Sequence, residues 1–276
     1  MIAIAGRPVQ PTGLHGEWRF NAEQQEIIRR MAASPQVFDY PSAEILLFEL
    51  KLRDHLIKSS RALYMSGLGF STFENSRCNP DFWIRTTQGG FQLRPDVRPS
   101  HGIIDIFQNG RLYATECATA MVIVLYHAVL RSIHRDAFEQ LFADLLLYDW
   151  RYDKDLHLKT VSTSTFLPGD ILYFANPDFD PATPQWQGEN AVYLGGGLYY
   201  GHGAGIRSAP SMITFLNEHR KAGAVRSAYL ANQATRPGFL YLSQYNDSRN
   251  NLLVRGQVTQ ISSRIIAEIG TLYEEC

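Results

Sequence analysis

Cysteine is scarce in this sequence. Cys78, Cys117 and Cys276 are spread over 276 residues, too few and too scattered for a disulfide framework or a metal-ligand cluster. An excess of charge is also missing: 26 Lys and Arg stand against 27 Asp and Glu, for a formal net charge of −1. Nothing therefore favours nucleic acid or an anionic membrane as the main partner. No apolar segment reaches bilayer length, and Met1–Gly6 lacks a basic stretch followed by an apolar run and a cleavage site, so no secretion signal is expected. A reduced, intracellular setting fits, and it leaves a thiol free to react. Asp178 and Asp180 lack the spaced acidic and glycine positions of a calcium loop, and Gly195–Gly197 lie between two strands instead of opening a helix, which excludes a phosphate cradle.

What is present is enough chain for one large domain or two small ones, and a 12% aromatic content that points to a core rich in rings. Asn21 caps an expected helix from Ala22 to about Ala33. A second and longer helix runs from Pro41-Ser42 to near Gly67, its Lys51, Arg53, Asp54 and Lys58 reading as a solvated face. Phe82–Thr87 and Gly89–Arg94 read as a hairpin, and Ser100–Gln108 as a short helix. Further helices are expected over 135–146 and 209–221, and strands over Leu147–Asp153, Ile171–Ala175, Glu189–Leu194, Leu198–His202 and Ala224–Ala231. Residues 240–276 are weakly patterned, with a modest amphipathic helix over Val258–Ile269.

The chain is organised around Gly110–Tyr126. Thr115 is a candidate N-cap, and Ala118–Leu125 is an apolar run broken only by Thr119. If Thr115 caps that helix, Glu116 and Cys117 sit in its first turn, where unpaired N–H groups and the helix dipole favour negative charge. A helix start can lower a thiol pKa, and the thiolate is the nucleophile; a cysteine in an apolar run can equally be a small core residue. A nucleophilic cysteine needs a base and a group to orient it. Of the eight histidines, His202 is the best placed, late in a strand and between glycines. His15, His55, His134, His157 and His219 read as exposed, and His127 lies far down the Cys117 helix. Glu189 opens the strand paired with that of His202, at the same end of the ribbon. Each carboxylate has a plain alternative: Glu116 as a helix-dipole residue, Glu189 as a solvated strand end. Trp150 and Trp186 can likewise be ordinary core rings.

Several blocks in fixed order resemble one family. Leu46-Leu-Phe-Glu-Leu-Lys-Leu-Arg53, Ser66-Gly-Leu-Gly-Phe-Ser-Thr-Phe73, Thr115-Glu-Cys-Ala-Thr-Ala120, Leu147-Tyr-Asp-Trp150, Phe174-Ala-Asn-Pro177, Trp186-Gln-Gly-Glu-Asn190 and Tyr200-Gly-His-Gly203 are similar to the bacterial spore-coat protein-glutamine γ-glutamyltransferases. The likeness covers about residues 1–236. It implies an α+β fold with a papain-like, NlpC/P60-type core: a central antiparallel sheet, helices around it, and the nucleophile at a helix N-terminus. It implies one transglutaminase domain over 1–238, with its catalytic core at about 100–235 and a C-terminal appendage over 239–276. Cys117 would be the nucleophile, Glu116 and Glu189 partly interchangeable acid/base carboxylates, and His202 a further site residue. Phe70, Trp150, Trp186 and Asn190 would line a substrate tunnel. The implied activity needs no calcium, no other metal and no cofactor, and joins glutamines to lysines of spore-coat proteins. A monomer is expected, without nucleic-acid or membrane partners. Two rivals remain at this point: a papain-like cell-wall peptidase and a structural coat component.

Overall fold

The computed structural model describes residues 1–246, except the side chains of 15–17; the expected helix over 258–269 and Cys276 lie outside them. A helix that is apolar all round has to be enclosed. Cys117–Leu130 is that helix, and Met121–Tyr126 are all buried. The 23-residue helix Ala43–Met65 packs on it from one side and the strand Gly188–Gly195 from another. That strand belongs to a six-stranded sheet ordered Gly205–Ser208, Leu198–Gly201, Gly188–Gly195, Ile171–Ala175, Tyr229–Arg236, Lys159–Ser162. Every neighbouring pair is antiparallel. The architecture is mixed α+β, with a central antiparallel sheet and helices around it, as the sequence suggested. Smaller sheets flank it, including the Trp83–Arg85/Phe91–Leu93 hairpin and a two-strand parallel pair, Gly69–Phe70 with Ala114–Thr115.

The Asn21 cap forms in full: its side chain accepts from the Gln24 N–H, and Gln24 reaches back to the Asn21 N–H. Elsewhere the structure corrects the reading. The stretch Leu147–Asp153 is strand only over Leu146–Leu147; Tyr148–Arg151 then turns tightly, with Asp149 at φ 52° and the Arg151 N–H bonded to the Tyr148 carbonyl at 2.9 Å. The 135 helix stops at Leu141, the 209 helix at Asn217, and the last strand begins at Tyr229. Its edge partner, Lys159–Ser162, carries four exposed residues, so no alternation of polar and apolar marks it.

The long helix departs most from expectation. Lys51, Arg53 and Asp54 are buried, because segments more than a hundred residues later cover that face. Arg53 donates to Glu49 at 2.8 Å, to Asp170 at 2.7 Å and to the Pro168 carbonyl at 3.1 Å, under the ring of Phe239. Lys51 reaches Asn246 at 3.0 Å. Residues 239–246 dock here, with Leu242 fully buried in the main core. Asp170 also accepts from Arg236 at 2.7 and 2.8 Å. Burial works against its charge, yet the two guanidiniums outweigh it and hold the carboxyl below the ordinary range. Asp170→Ala would strip the shared anion from two arginines; unpaired buried charge costs ~3–5 kcal/mol. The expected result is a fall in Tm on the order of 10 °C by calorimetry.

Candidate active site

The parallel pair Gly69–Phe70 and Ala114–Thr115 brings Phe70 opposite Thr115, and the Ser71 N–H bonds the Thr115 carbonyl at 2.9 Å. Phe70 is thereby held beside the next turn of chain, where the helix starts. The cap of that helix is Glu116 and not Thr115, which lies in the preceding strand. The Glu116 carboxylate accepts from the Ala118 N–H and from the Thr119 N–H at 2.8 Å. Cys117 is the first helical residue. The premise of a thiolate eased by free helix amides is therefore corrected: Glu116 takes two of them. Burial pushes the Cys117 thiol well up, Glu189 and Glu116 push it further, and hydrogen bonds from the Asn190 main chain and side chain draw it partly back. The balance of these effects favours the neutral thiol over the thiolate.

Glu189 lies at the start of the Gly188–Gly195 strand. The pairing of Ala191 with Gly201 sets it at the same ribbon end as His202. It is fully buried, and neither carboxyl oxygen has a hydrogen-bond partner among the described residues. Gly201 makes room: a Cβ there would fall 2.6 Å from Glu189 Oε1. Burial, then the charge of Glu116, raises the Glu189 carboxyl well above its usual range. Burial also raises Glu116, partly offset by its amide hydrogen bonds. A buried carboxyl raised towards neutrality is suited to moving protons near pH 7.

His202 is placed differently. Its Nε2 lies 3.1 Å from the Gly69 carbonyl and its Nδ1 3.3 Å from the Tyr200 hydroxyl. Its ring meets Phe70 at 5.8 Å between centroids. Gly203, at φ 96°, lets the chain pass Phe70, where a Cβ would lie 2.6 Å from the ring. Burial lowers the His202 pKa to about 4, so it is neutral at pH 7 and ties Gly69–Phe70 to the sheet. Burial likewise lowers His127 to about 4 and His55, half-buried on Ser132, to about 3; the exposed reading of His55 is corrected. In the unfolded chain these histidines titrate near 6.5. Folding keeps them neutral, so the stability present above pH 6.5 is lost as pH falls towards 4. Tm measured from pH 8 to 4 is expected to hold steady to about 6.5 and then decline; a flat profile would contradict this.

A cavity of about 730 Å³ opens at the helix start, lined by Phe70, Glu116, Cys117, Trp150 and Asn190 among others. Trp186 stands behind Phe70, the rings stacked at 4.9 Å, and is not part of the lining. Cys117, Glu116, Glu189 and Asn190 thus converge, with Phe70 and Trp150 as walls; Trp186 and His202 support the walls. Sequence reasoning missed Tyr173 and Asp149, which also line the cavity. Tyr173 sits in an expected strand and Asp149 beside Trp150, but no signal gave either a direction. Among the described residues no group of three or more His, Cys, Asp or Glu could hold a metal ion, and no helix is long and apolar enough to cross a membrane.

A thiol, two carboxyls and amide donors around one ring-walled cavity are what acyl transfer requires. A family model described as protein-glutamine gamma-glutamyltransferase matches residues 1–246. A protein-glutamine gamma-glutamyltransferase of Bacillus mycoides (strain KBAB4) is 44% identical over 270 residues, covering 98% of each chain. One from Bacillus cereus (strain B4264) is 46% identical over 248 residues, 90% of each. The solved structure of a transglutaminase from Geobacillus stearothermophilus, without its C-terminal extension, superposes with a TM-score of 0.73 at 57% identity, covering 75% of this chain and 99% of that one. The chain belongs to the protein-glutamine γ-glutamyltransferase family and is an acyltransferase.

Proposed function

We propose that the enzyme joins protein glutamines to protein lysines through a thioester on Cys117, forming ε-(γ-glutamyl)lysine crosslinks between spore-coat proteins. The observation that carries this reading is the Cys117 thiol at the start of its helix, within the field of Glu189, a fully buried carboxyl with both oxygens unpartnered among the described residues. Structural carboxyls are normally hydrogen-bonded when buried; one left open beside a thiol is available to exchange protons with it.

In this mechanism a carboxylate, Glu189 or Glu116, takes the Cys117 proton as sulfur attacks the glutamine side-chain carbon. The oxyanion is held by the Cys117 N–H, which the Glu116 cap does not occupy. As the C–N bond breaks, the carboxyl returns the proton to nitrogen and ammonia leaves. A lysine amine then attacks the thioester and loses its proton to the carboxylate. The C–S bond breaks, and the thiol is regenerated. One proton shuttle serves both halves, so the two carboxylates are partly interchangeable. Phe70 and Trp150 keep water from the thioester, which would otherwise turn crosslinking into deamidation.

The papain-related, NlpC/P60-type core is proposed on the same footing, supported by a cysteine at a helix start facing an antiparallel ribbon. So are a monomer and the domain plan: one domain over 1–238, with the tail as an appendage whose first residues, 239–246, dock on the long helix. The test is incubation with casein and a fluorescent primary amine, followed by iodoacetamide trapping and mass spectrometry. Amine incorporation, blocked as Cys117 becomes alkylated, is the expected outcome. Ammonia release with no incorporation would favour the hydrolase rival, and alkylation of Cys78 alone on inactivation would overturn the nucleophile.

A further inference from the structure

Among the described residues lining the cavity, only Glu116 and Asp149 have ionisable carboxyl side chains, and no lysine or arginine contributes. Glu116 is engaged by the helix amides. The Asp149 side chain is exposed and makes no hydrogen bond or ion pair among the described residues. Its backbone, by contrast, is fixed. The Asp149 N–H donates to Thr119 Oγ1 at 2.8 Å, tying the turn to the first turn of the Cys117 helix, and the residue is held at φ 52°. A non-glycine residue in that region has to be kept there by its surroundings, and Asp and Asn are the residue types that tolerate it best. The anchored backbone thus presents an unengaged carboxylate at a cavity that, among the described residues, no lysine or arginine lines. The field of Asp149 also reaches Glu116 inside. Of the two substrates only one is charged: the glutamine carboxamide is neutral, whereas the lysine arrives as an ammonium and has to lose a proton before it can attack.

We propose that Asp149 docks the ammonium of the incoming amine at the cavity rim, next to Glu116, and so selects cationic acceptors. It is a positioning residue: it touches the acceptor before reaction and leaves the bond-making to Cys117 and the buried carboxyls. This rests on the transfer reading above and deepens it.

The test compares two acceptors on one glutamine donor at pH 7.5: a cadaverine derivative, which is a cation, and hydroxylamine, which is neutral. Asp149→Asn keeps a residue suited to the turn and removes the charge. The ratio of KM for the cadaverine derivative to KM for hydroxylamine is expected to rise about fivefold, the scale of one exposed ion pair. Asp149→Lys should raise it beyond that. Asp149→Gly, also at ease at positive φ, should match the Asn variant, which guards against a folding defect in either one. Added salt should raise the wild-type KM for the cation and affect Asp149→Asn less. A ratio unchanged in all three variants, with the wild type using both amines, would overturn the role of Asp149 while leaving transfer intact. A wild type that incorporates neither amine would overturn both.

Discussion

Cys117→Ala is expected to reduce amine incorporation to background while leaving the melting temperature within a few degrees of wild type. The two halves of that result have separate causes. Among the described residues no other thiol can take over: Cys78 lies elsewhere, its sulfur directed to the Trp83 carbonyl at 3.8 Å, and burial pushes its pKa up to about 11. The fold loses little, because alanine is the best helix former and the cap is supplied by Glu116. Removal of a thiol that burial and two carboxyls keep neutral also removes a poorly solvated polar group. Cys117→Ser should be as inactive as Cys117→Ala, since a serine hydroxyl is far harder to ionise in the same surroundings. Measurable incorporation by either variant would show that the nucleophile is elsewhere.

The second large effect concerns the two carboxyls. Glu189→Ala and Glu116→Ala are each expected to lower the rate ~10–100-fold, and the double variant to approach the loss of the whole acid/base contribution, ~10²–10⁴-fold. Complete and equal loss in each single variant would contradict a shared role. Stability separates the two residues further. Glu116→Ala removes a cap worth ~1–2 kcal/mol, so its Tm should fall. Glu189→Met replaces an unpartnered buried carboxyl with an apolar side chain of similar length, and its Tm should rise. Opposite shifts in Tm from two substitutions that both depress the rate would separate chemistry from scaffolding.

The parts of this molecule governed by local rules were legible in the sequence. The Asn21 cap, the strand Ile171–Ala175, and the ribbon carrying Glu189 and His202 each rest on neighbours a few residues away. The Cys117 helix was legible because a run as apolar as Ala118–Leu125 can only be enclosed. What stayed hidden depends on distant segments. Arg53 looked solvated on a helical projection, since nothing local announces that Asp170 and Phe239 will cover it. His202 looked like the base of a Cys–His pair, yet its ring nitrogens are committed to Gly69 and Tyr200, contacts that no spacing encodes. The cap was misplaced by one residue: Thr115 and Glu116 are both capable, and the parallel pairing of Thr115 with Phe70 decides between them. Asp149 was read as strand because a turn at positive φ leaves no hydropathy pattern.

The clamp on Gly69 and Phe70 has one last consequence. One aromatic flank of the aperture is fastened to the strand that precedes Cys117 by the Ser71–Thr115 bond and to the sheet by His202, which resists widening on that side. For the proposed reaction, such a flank would favour long, unbranched side chains such as those of glutamine and lysine. In the proposed reaction, calibre would then decide which side chains enter, and the charge at the rim which of them dock.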